Sequence, residues 1–276
     1  MTTTNLLTVP GTRLHYRVTG SGPLLLIAQS GEGDADRGRD LTERLAADFT
    51  VVTYDRRGLH RSVPDDPARP VDMATHAEDV HHLLAALTDR PALMLGCSFG
   101  AAIGLQLALR RPGRLAALIA HEPAAPELLP AGERADTERR LREVQRTYRE
   151  EGWQPAVRAV TALLGITPDH QETEPEVRPE PFTEARRAAF EGFLTRDVDT
   201  VLSGTLTRAD LAALAAGPTR IVPAAGRTTP REVFDYRCAE VTAAGLGTGL
   251  AEFPGGHNGN LTHPAAFADQ VRAHLA

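Results

Sequence analysis

Short apolar runs alternate along the chain with stretches whose apolar residues return at helical spacing, the pattern of a parallel sheet covered by helices. The runs at 6–10, 13–19, 24–29, 50–55, 92–97, 115–121, 220–225 and 249–253 predict eight strands. The first two flank Gly11 and predict an antiparallel hairpin at one edge. Helical patterns follow most of the others, at 34–48, 73–88, 99–110, 230–244 and 264–275. In the second of these, Ala77, Val80, Leu84 and Leu87 recur on one face. The run at 115–121 is almost continuously apolar, as a strand buried on both sides must be.

The alternation breaks between about Pro123 and Gly217, where the chain is charged, helical in pattern and free of strand signals. Leu141, Val144 and Tyr148 mark one amphipathic helix there, and Val157, Val160 and Leu164 a second. The stretch 167–181 carries four prolines and several acids, which predicts a mobile loop. A helical block set between strands reads as a cap over the carboxyl end of the sheet. The expected division is a core of 1–123 and 218–276 with a cap of 124–217.

Composition narrows the function. With 42% hydrophobic and 24% charged residues in 276, the chain can bury a substantial core. A net charge of -6 supplies no basic field for nucleic acid. Every basic residue is arginine, so chemistries that need a lysine amine, Schiff-base formation and P-loop nucleotide hydrolysis, are excluded. The opening residues lack a signal-peptide pattern, and no run reaches the roughly 18 apolar residues of a membrane helix. Two cysteines, Cys97 and Cys238, mark no disulfide framework, and a cytoplasmic location is the simplest expectation. No cofactor or metal is implied; the expected partner is a small-molecule substrate, and the chain a monomer or homodimer.

The strongest chemical signal is Gly96-Cys97-Ser98-Phe99-Gly100, a G-x-S-x-G entered by a strand pattern and left by a helix pattern. A strand-to-helix turn this sharp forces its serine into a strained conformation and needs small neighbours. The Ser98 hydroxyl then stands at a helix amino terminus, where the Phe99 amide can donate to an oxyanion. A glycine-rich turn that merely closes a strand is the plain alternative.

On these residues the chain resembles the α/β-hydrolase superfamily over nearly its whole length. Tyr54-Asp55-Arg56-Arg57-Gly58 with Arg61-Ser62 is similar to the family's D-x-R-G-x-G-x-S turn, with His60 in place of the second glycine. Gln29-Ser30-Gly31-Glu32-Gly33 stands where the family has its His-Gly oxyanion loop, so the resemblance implies the Ser30 amide as second oxyanion donor. The run 31–36, GEGDAD, lacks both the calcium-loop pattern and a G-x-G-x-x-G. Gly255-Gly256-His257-Asn258-Gly259 matches the loop that carries the family's catalytic histidine. Of ten histidines, His257 alone has that topological place; His76, His81 and His82 read as surface residues of a helix, and His15, His263 and His274 as ordinary ones. The implied fold is a mostly parallel eight-stranded sheet flanked by helices, with an inserted helical cap.

One part is absent. The family commonly places its acid in a G-x-x-D turn after the strand at 220–225, and this chain reads Gly226-Arg227-Thr228-Thr229. Either the site is inactive or a dyad, or the acid comes from elsewhere. Some branches take it from the end of the preceding strand, among them the fungal lactone hydrolases that open zearalenone. They share the G-C-S-x-G-A elbow and a His-Glu pair like His121-Glu122 here. That resemblance implies Glu122 as the acid; the competing reading is a carboxylate capping the turn before Pro123. Asp235 and Glu232 lie further on, in the following helix. The expectation is therefore Ser98, His257 and Glu122 cleaving an ester or lactone through an acyl-enzyme, with Gln29 and Leu194 touching substrate. Carbon–carbon bond hydrolysis, cofactor-free peracid formation and an inactive ligand-binding member of the fold are the alternatives. Dehalogenase and epoxide-hydrolase chemistry would need an aspartate where Ser98 stands.

Overall fold

The computed structural model describes residues 2–167, 172–178 and 180–275. Eight strands form one sheet in the order β1-β2-β4-β3-β5-β6-β7-β8. They are β1 (Thr2–Val9), β2 (Thr12–Thr19), β3 (Leu24–Ala28), β4 (Thr50–Tyr54), β5 (Ala92–Cys97), β6 (Leu115–His121), β7 (Arg220–Gly226) and β8 (Ala251–Phe253). The hairpin β1–β2 pairs antiparallel in register from Thr2 with Thr19 to Val9 with Thr12, and β2 lies antiparallel on β4. All pairings from β4 through β8 are parallel.

Because side chains alternate across a strand, each parallel strand feeds two cores. Leu26, Val52, Met94 and Leu118 face one layer, packed under the helices α2 (Met73–Leu87) and α3 (Phe99–Arg110). Leu25, Ile27, Leu95 and Ile119 face the other, against α1 (Arg39–Leu45) and the carboxyl-terminal helix Pro264–Leu275. The helix expected over 34–48 begins only at Arg39. Asp55 Oδ1 accepts from the Ala35 amide at 2.8 Å and keeps 34–38 in turns, and Gly38 precedes the helix in the left-handed region at φ 68°. The helix expected over 230–244 starts at Phe234, after a turn in which Val233 N donates to Pro230 O.

Between β6 and β7 the described residues form no strand. A 3₁₀ turn (Pro126–Leu128) leads into α4 (Ala131–Glu151), α5 (Trp153–Leu163), α6 (Glu184–Gly192), a π-helical turn (Phe193–Asp197), α7 (Val198–Leu202) and α8 (Arg208–Ala215). After β7 come α9 (Phe234–Leu246), then past β8 α10 (Gly259–Thr262) and α11 (Pro264–Leu275). Of the loop expected to be mobile, residues 168–171 and 179 lie outside the described residues. The described part is tied to the core. Glu174 accepts from the Ala265 and Ala266 amides at the start of α11, at 2.7 and 2.9 Å, and Arg178 pairs with Asp40 and Glu43 of α1. No helix among the described residues is long and apolar enough to cross a membrane.

Candidate active site

The elbow is a product of close approach. Ser98 sits at φ 53°, ψ -113°, a conformation that costs roughly 1–3 kcal/mol and persists only where surroundings over-determine it. Those surroundings are its two glycines. A Cβ on Gly96 would come within 2.6 Å of Gly100 O, and one on Gly100 within 2.1 Å of Ala28 O. Around the serine, Ser98 N donates to His121 O at 2.9 Å, and Ser98 O accepts from Ala101 and Ala102 of α3 and from Ala124. Phe99 follows as the first residue of α3, where an amide has no intrahelical acceptor.

Glu122, next after β6, is also held at positive φ, 47°, and is completely buried. Its amide donates to Ala224 O at 2.8 Å, and its Oε1 accepts from Gly226 N at 2.8 Å. The turn that lacks a carboxylate thus supplies an amide to the glutamate on the neighbouring strand. Oε2 reaches His257 Nδ1 at 2.6 Å. The histidine loop is pressed against that turn: a Cβ on Gly226 would lie 2.5 Å from the Gly256 carbonyl carbon, and Gly255 turns at φ 74°. Burial alone would raise the Glu122 carboxyl, but the hydrogen bond to His257 and the nearby imidazoles bring it down to about 2. Burial would lower His257, yet the bond to Glu122 and the charges of Asp235 and Glu122 carry it above the usual imidazole value.

The side chain of Ser98 turns to Asp235, a residue of the following helix to which the sequence assigned no role. Its Oγ lies 3.5 Å from Asp235 Oδ2, and the same oxygen is 3.4 Å from His257 Nδ1. The helical pattern around Asp235 carried no hint of this, because the contact depends on where β7 and the turn from Pro230 to Val233 deliver the first turn of α9. Burial pushes the Asp235 carboxyl up to about 7, partly opposed by His257.

The loop after β3 is fixed from beneath by Arg56, whose guanidinium is buried. Nη1 donates to Ser30 O at 2.8 Å, Nη2 to Gly31 O at 2.7 Å and to Asp197 of the π-helical turn. Its carbon also sits 4.1 Å over the Phe99 ring, and His76 meets that ring edge-on. His76 is therefore buried, not at the surface, and its pKa falls well below the ordinary imidazole value through burial. His15 is buried as well, beside Asp55.

Ser98, Ser30, Asp235 and His257 line a cavity of about 380 Å³. Val157, Val160, Leu164, Phe190 and Phe193 from the insertion give it an apolar wall. Gln29 and Leu194 do not line it. Gln29 is spent on Arg37 O and Asn260, while Leu194 is fully buried and offers its carbonyl to Gln145. Charged residues also border the cavity, but in pairs: Arg186 with Glu32, and Arg37 with Glu32 and Glu180. Among the described residues no group of three or more His, Cys, Asp or Glu is arranged to hold a metal ion.

A nucleophile elbow at the carboxyl end of a parallel sheet, with a histidine on the loop after the last strand, is the arrangement of α/β hydrolases. The family model of the alpha/beta hydrolase fold matches residues 23–152. The chain is 35% identical over 266 residues to the uncharacterized hydrolase YraK of Bacillus subtilis (strain 168), across 96% of this chain and 93% of that protein. It belongs to the α/β-hydrolase family and is a hydrolase. Among solved structures, a hydrolase from Pseudomonas aeruginosa PA01 superposes with a TM-score of 0.71 at 28% identity, over 99% of this chain and 98% of that one. The enol-lactonase from Burkholderia xenovorans LB400 reaches a TM-score of 0.72 at 23% identity, over 98% and 99% of the two chains, and shares the fold.

Proposed function

We propose that this hydrolase cleaves the ester or lactone bond of a small to medium, largely apolar and uncharged substrate through an acyl-enzyme. Ser98 attacks the carbonyl, His257 takes its proton and returns it to the leaving oxygen, and Glu122 fixes the tautomer and stabilises the imidazolium. The amides of Phe99 and Ser30 receive the oxyanion, and water then releases the acid. The observation that carries this reading is the 2.6 Å bond from the buried Glu122 carboxylate to His257 Nδ1, beside a serine strained into the elbow conformation. The apolar wall and the paired charges support an uncharged substrate, since an ionic one would have to break a pair to gain a partner. A lactone fits the shared His-Glu pair of zearalenone-type lactone hydrolases and the enol-lactonase among the structural neighbours.

The test is covalent labelling by a fluorophosphonate probe, with the labelled peptide identified by mass spectrometry, followed by turnover on graded esters and lactones. Labelling at Ser98 with release of acid and alcohol, or of hydroxy acid, is expected. Labelling without turnover of any ester or lactone, or none at all, overturns the proposal.

A further inference from the structure

Asp235 is a second buried carboxyl in this site, and the reaction outlined above gives it no task. It stands on the first turn of α9 with one oxygen between nucleophile and base, 3.5 Å from Ser98 Oγ and 3.4 Å from His257 Nδ1. Its other oxygen has no hydrogen-bond partner among the described residues, and the residue is completely buried. The imidazole N–H is already taken by Glu122 at 2.6 Å, so Asp235 is not needed as its acceptor. Among the described residues the one side-chain hydrogen bond of Ser98 goes to Asp235.

Resting on the reading of Ser98 as nucleophile, we propose that Asp235 is a positioning residue that decides where the Ser98 hydroxyl proton points: the anion draws it away from His257, and the neutral acid leaves it free for the base. A serine hydroxyl has one proton to donate. An ionised carboxylate makes hydrogen bonds roughly twice as strong as a neutral acceptor does, so it outcompetes a neutral imidazole nitrogen. A protonated carboxyl carries its own O–H and can donate to Ser98 Oγ, which then keeps its proton for His257.

The charge state of Asp235 is set by what packs against it. Glu122 at the end of β6 is ionised above about 2 and opposes a second negative charge. His257, on the loop after β8, favours the anion, as does the Ser98 hydroxyl at the elbow. On its own helix Cys238 is a neutral thiol, driven well above its ordinary value by burial. The acids Glu127 of the 3₁₀ turn and Glu133 of α4 also face Cys238, and Glu133 is neutralised by Arg237. Burial dominates this set and holds the carboxyl near neutral pH, where a switch between its two forms falls in the working range. Reaction then needs His257 unprotonated and Asp235 protonated. The two requirements act on coupled groups and give a narrow, bell-shaped profile.

The experiment measures the second-order rate of fluorophosphonate labelling at Ser98 from pH 5 to 10, and kcat/KM on one ester, for the wild type and Asp235→Asn. Asparagine keeps the shape and cannot ionise. The wild type is expected to fall about tenfold per unit above its optimum, while Asp235→Asn rises to a plateau without falling. At pH 8.5 the variant should then exceed the wild type by tenfold or more. A uniform loss with an unchanged profile, or a falling limb retained in the variant, overturns the proposal. A wild-type profile without a falling limb overturns it even if the variant fails to fold. Absence of labelling at every pH would instead remove Ser98 as nucleophile, and this inference with it.

Discussion

At the carboxyl end of the sheet, positions are fixed by the backbone. Gly96, Gly100 and Gly226 mark chain crossings that leave no room for a Cβ, and Ser98 and Glu122 occupy positive φ because strand hydrogen bonds on either side demand it. The helical insertion between β6 and β7 is held by side chains instead: Leu141, Val144, Val160, Leu194, Val198 and Val201 join the core that Leu26, Met94 and Phe99 form. Long polar side chains tie it down: Asp197 to Arg56, Arg186 to Glu32, Glu180 to Arg37, and Arg178 to Asp40 and Glu43. Backbone crossings tolerate little displacement, whereas Arg–carboxylate pairs at a surface can open, exchange and be screened. In the proposed reaction, proton transfer therefore rests on the rigid kind of constraint. The apolar wall of the cavity rests on side-chain packing, with ion pairs of the adjustable kind at its edge. Asp197 is the exception, since its pair with Arg56 is buried and reaches the loop after β3 through Ser30 and Gly31.

Ser98→Ala, at the most constrained position, should cost on the order of 10⁴ to 10⁶ in kcat with no change in thermal midpoint. Steady-state kinetics with a circular-dichroism melt check this, and near-native turnover would mean the backbone constraint serves packing alone. Glu122→Gln should lose roughly 10² to 10⁴ in kcat while folding normally. Because the Glu122 bond and charge help to hold the imidazole above its usual value, the rising limb of kcat/KM should also move to lower pH in this variant. The wild-type carboxyl sits at about 2 when folded, so the stability it lends is present above the usual carboxylate value and fades as pH drops toward 2. Urea midpoints of wild type and Glu122→Gln should therefore converge on acidification; a constant gap would show that the bond to His257 is not the source.

Asp197→Asn leaves the buried Arg56 guanidinium without its anion, and removing one partner of such a pair costs about 3–5 kcal/mol. Urea unfolding reads that loss, and kcat should fall with it, since Arg56 also holds the Ser30 and Gly31 carbonyls. Unchanged stability would place Asp197 with the adjustable pairs. Glu180→Gln, whose carboxylate is about one-third exposed, should change stability by about 1 kcal/mol. Its effect is expected in KM alone and should vanish near 1 M salt, where the screening length is about 3 Å. A large loss of kcat would show that the insertion is as rigidly set as the sheet.

Most strands were legible because a parallel strand buried on both faces leaves a run of apolar residues, as at β5 and β6, that no other element of that length explains. The helix starts at Arg39 and Phe234 were not, since each is set by a contact or turn outside the helical pattern: Asp55 on Ala35, and the turn from Pro230 to Val233. His76 looked like a surface residue for a related reason. Its helix face is buried by Phe99 and Arg56, which come from other elements.

By itself the sequence determined the sheet, the elbow and the absence of an acid after β7, because these are written in local residue types: apolar runs, glycines bracketing Ser98, and Thr229 where a carboxylate is usual. Only the tertiary structure decided which distant side chains share the space around Ser98. It set Glu122 at 2.6 Å from His257 through strand register, brought Asp235 on the first turn of α9 to Ser98 and His257, and withdrew Gln29 and Leu194 into hydrogen bonds of their own. The physical reason is that a side chain's neighbours depend on the register and entry angle of its whole element. Contacts far apart in the chain fix both, and neither leaves a mark in the local pattern of residues.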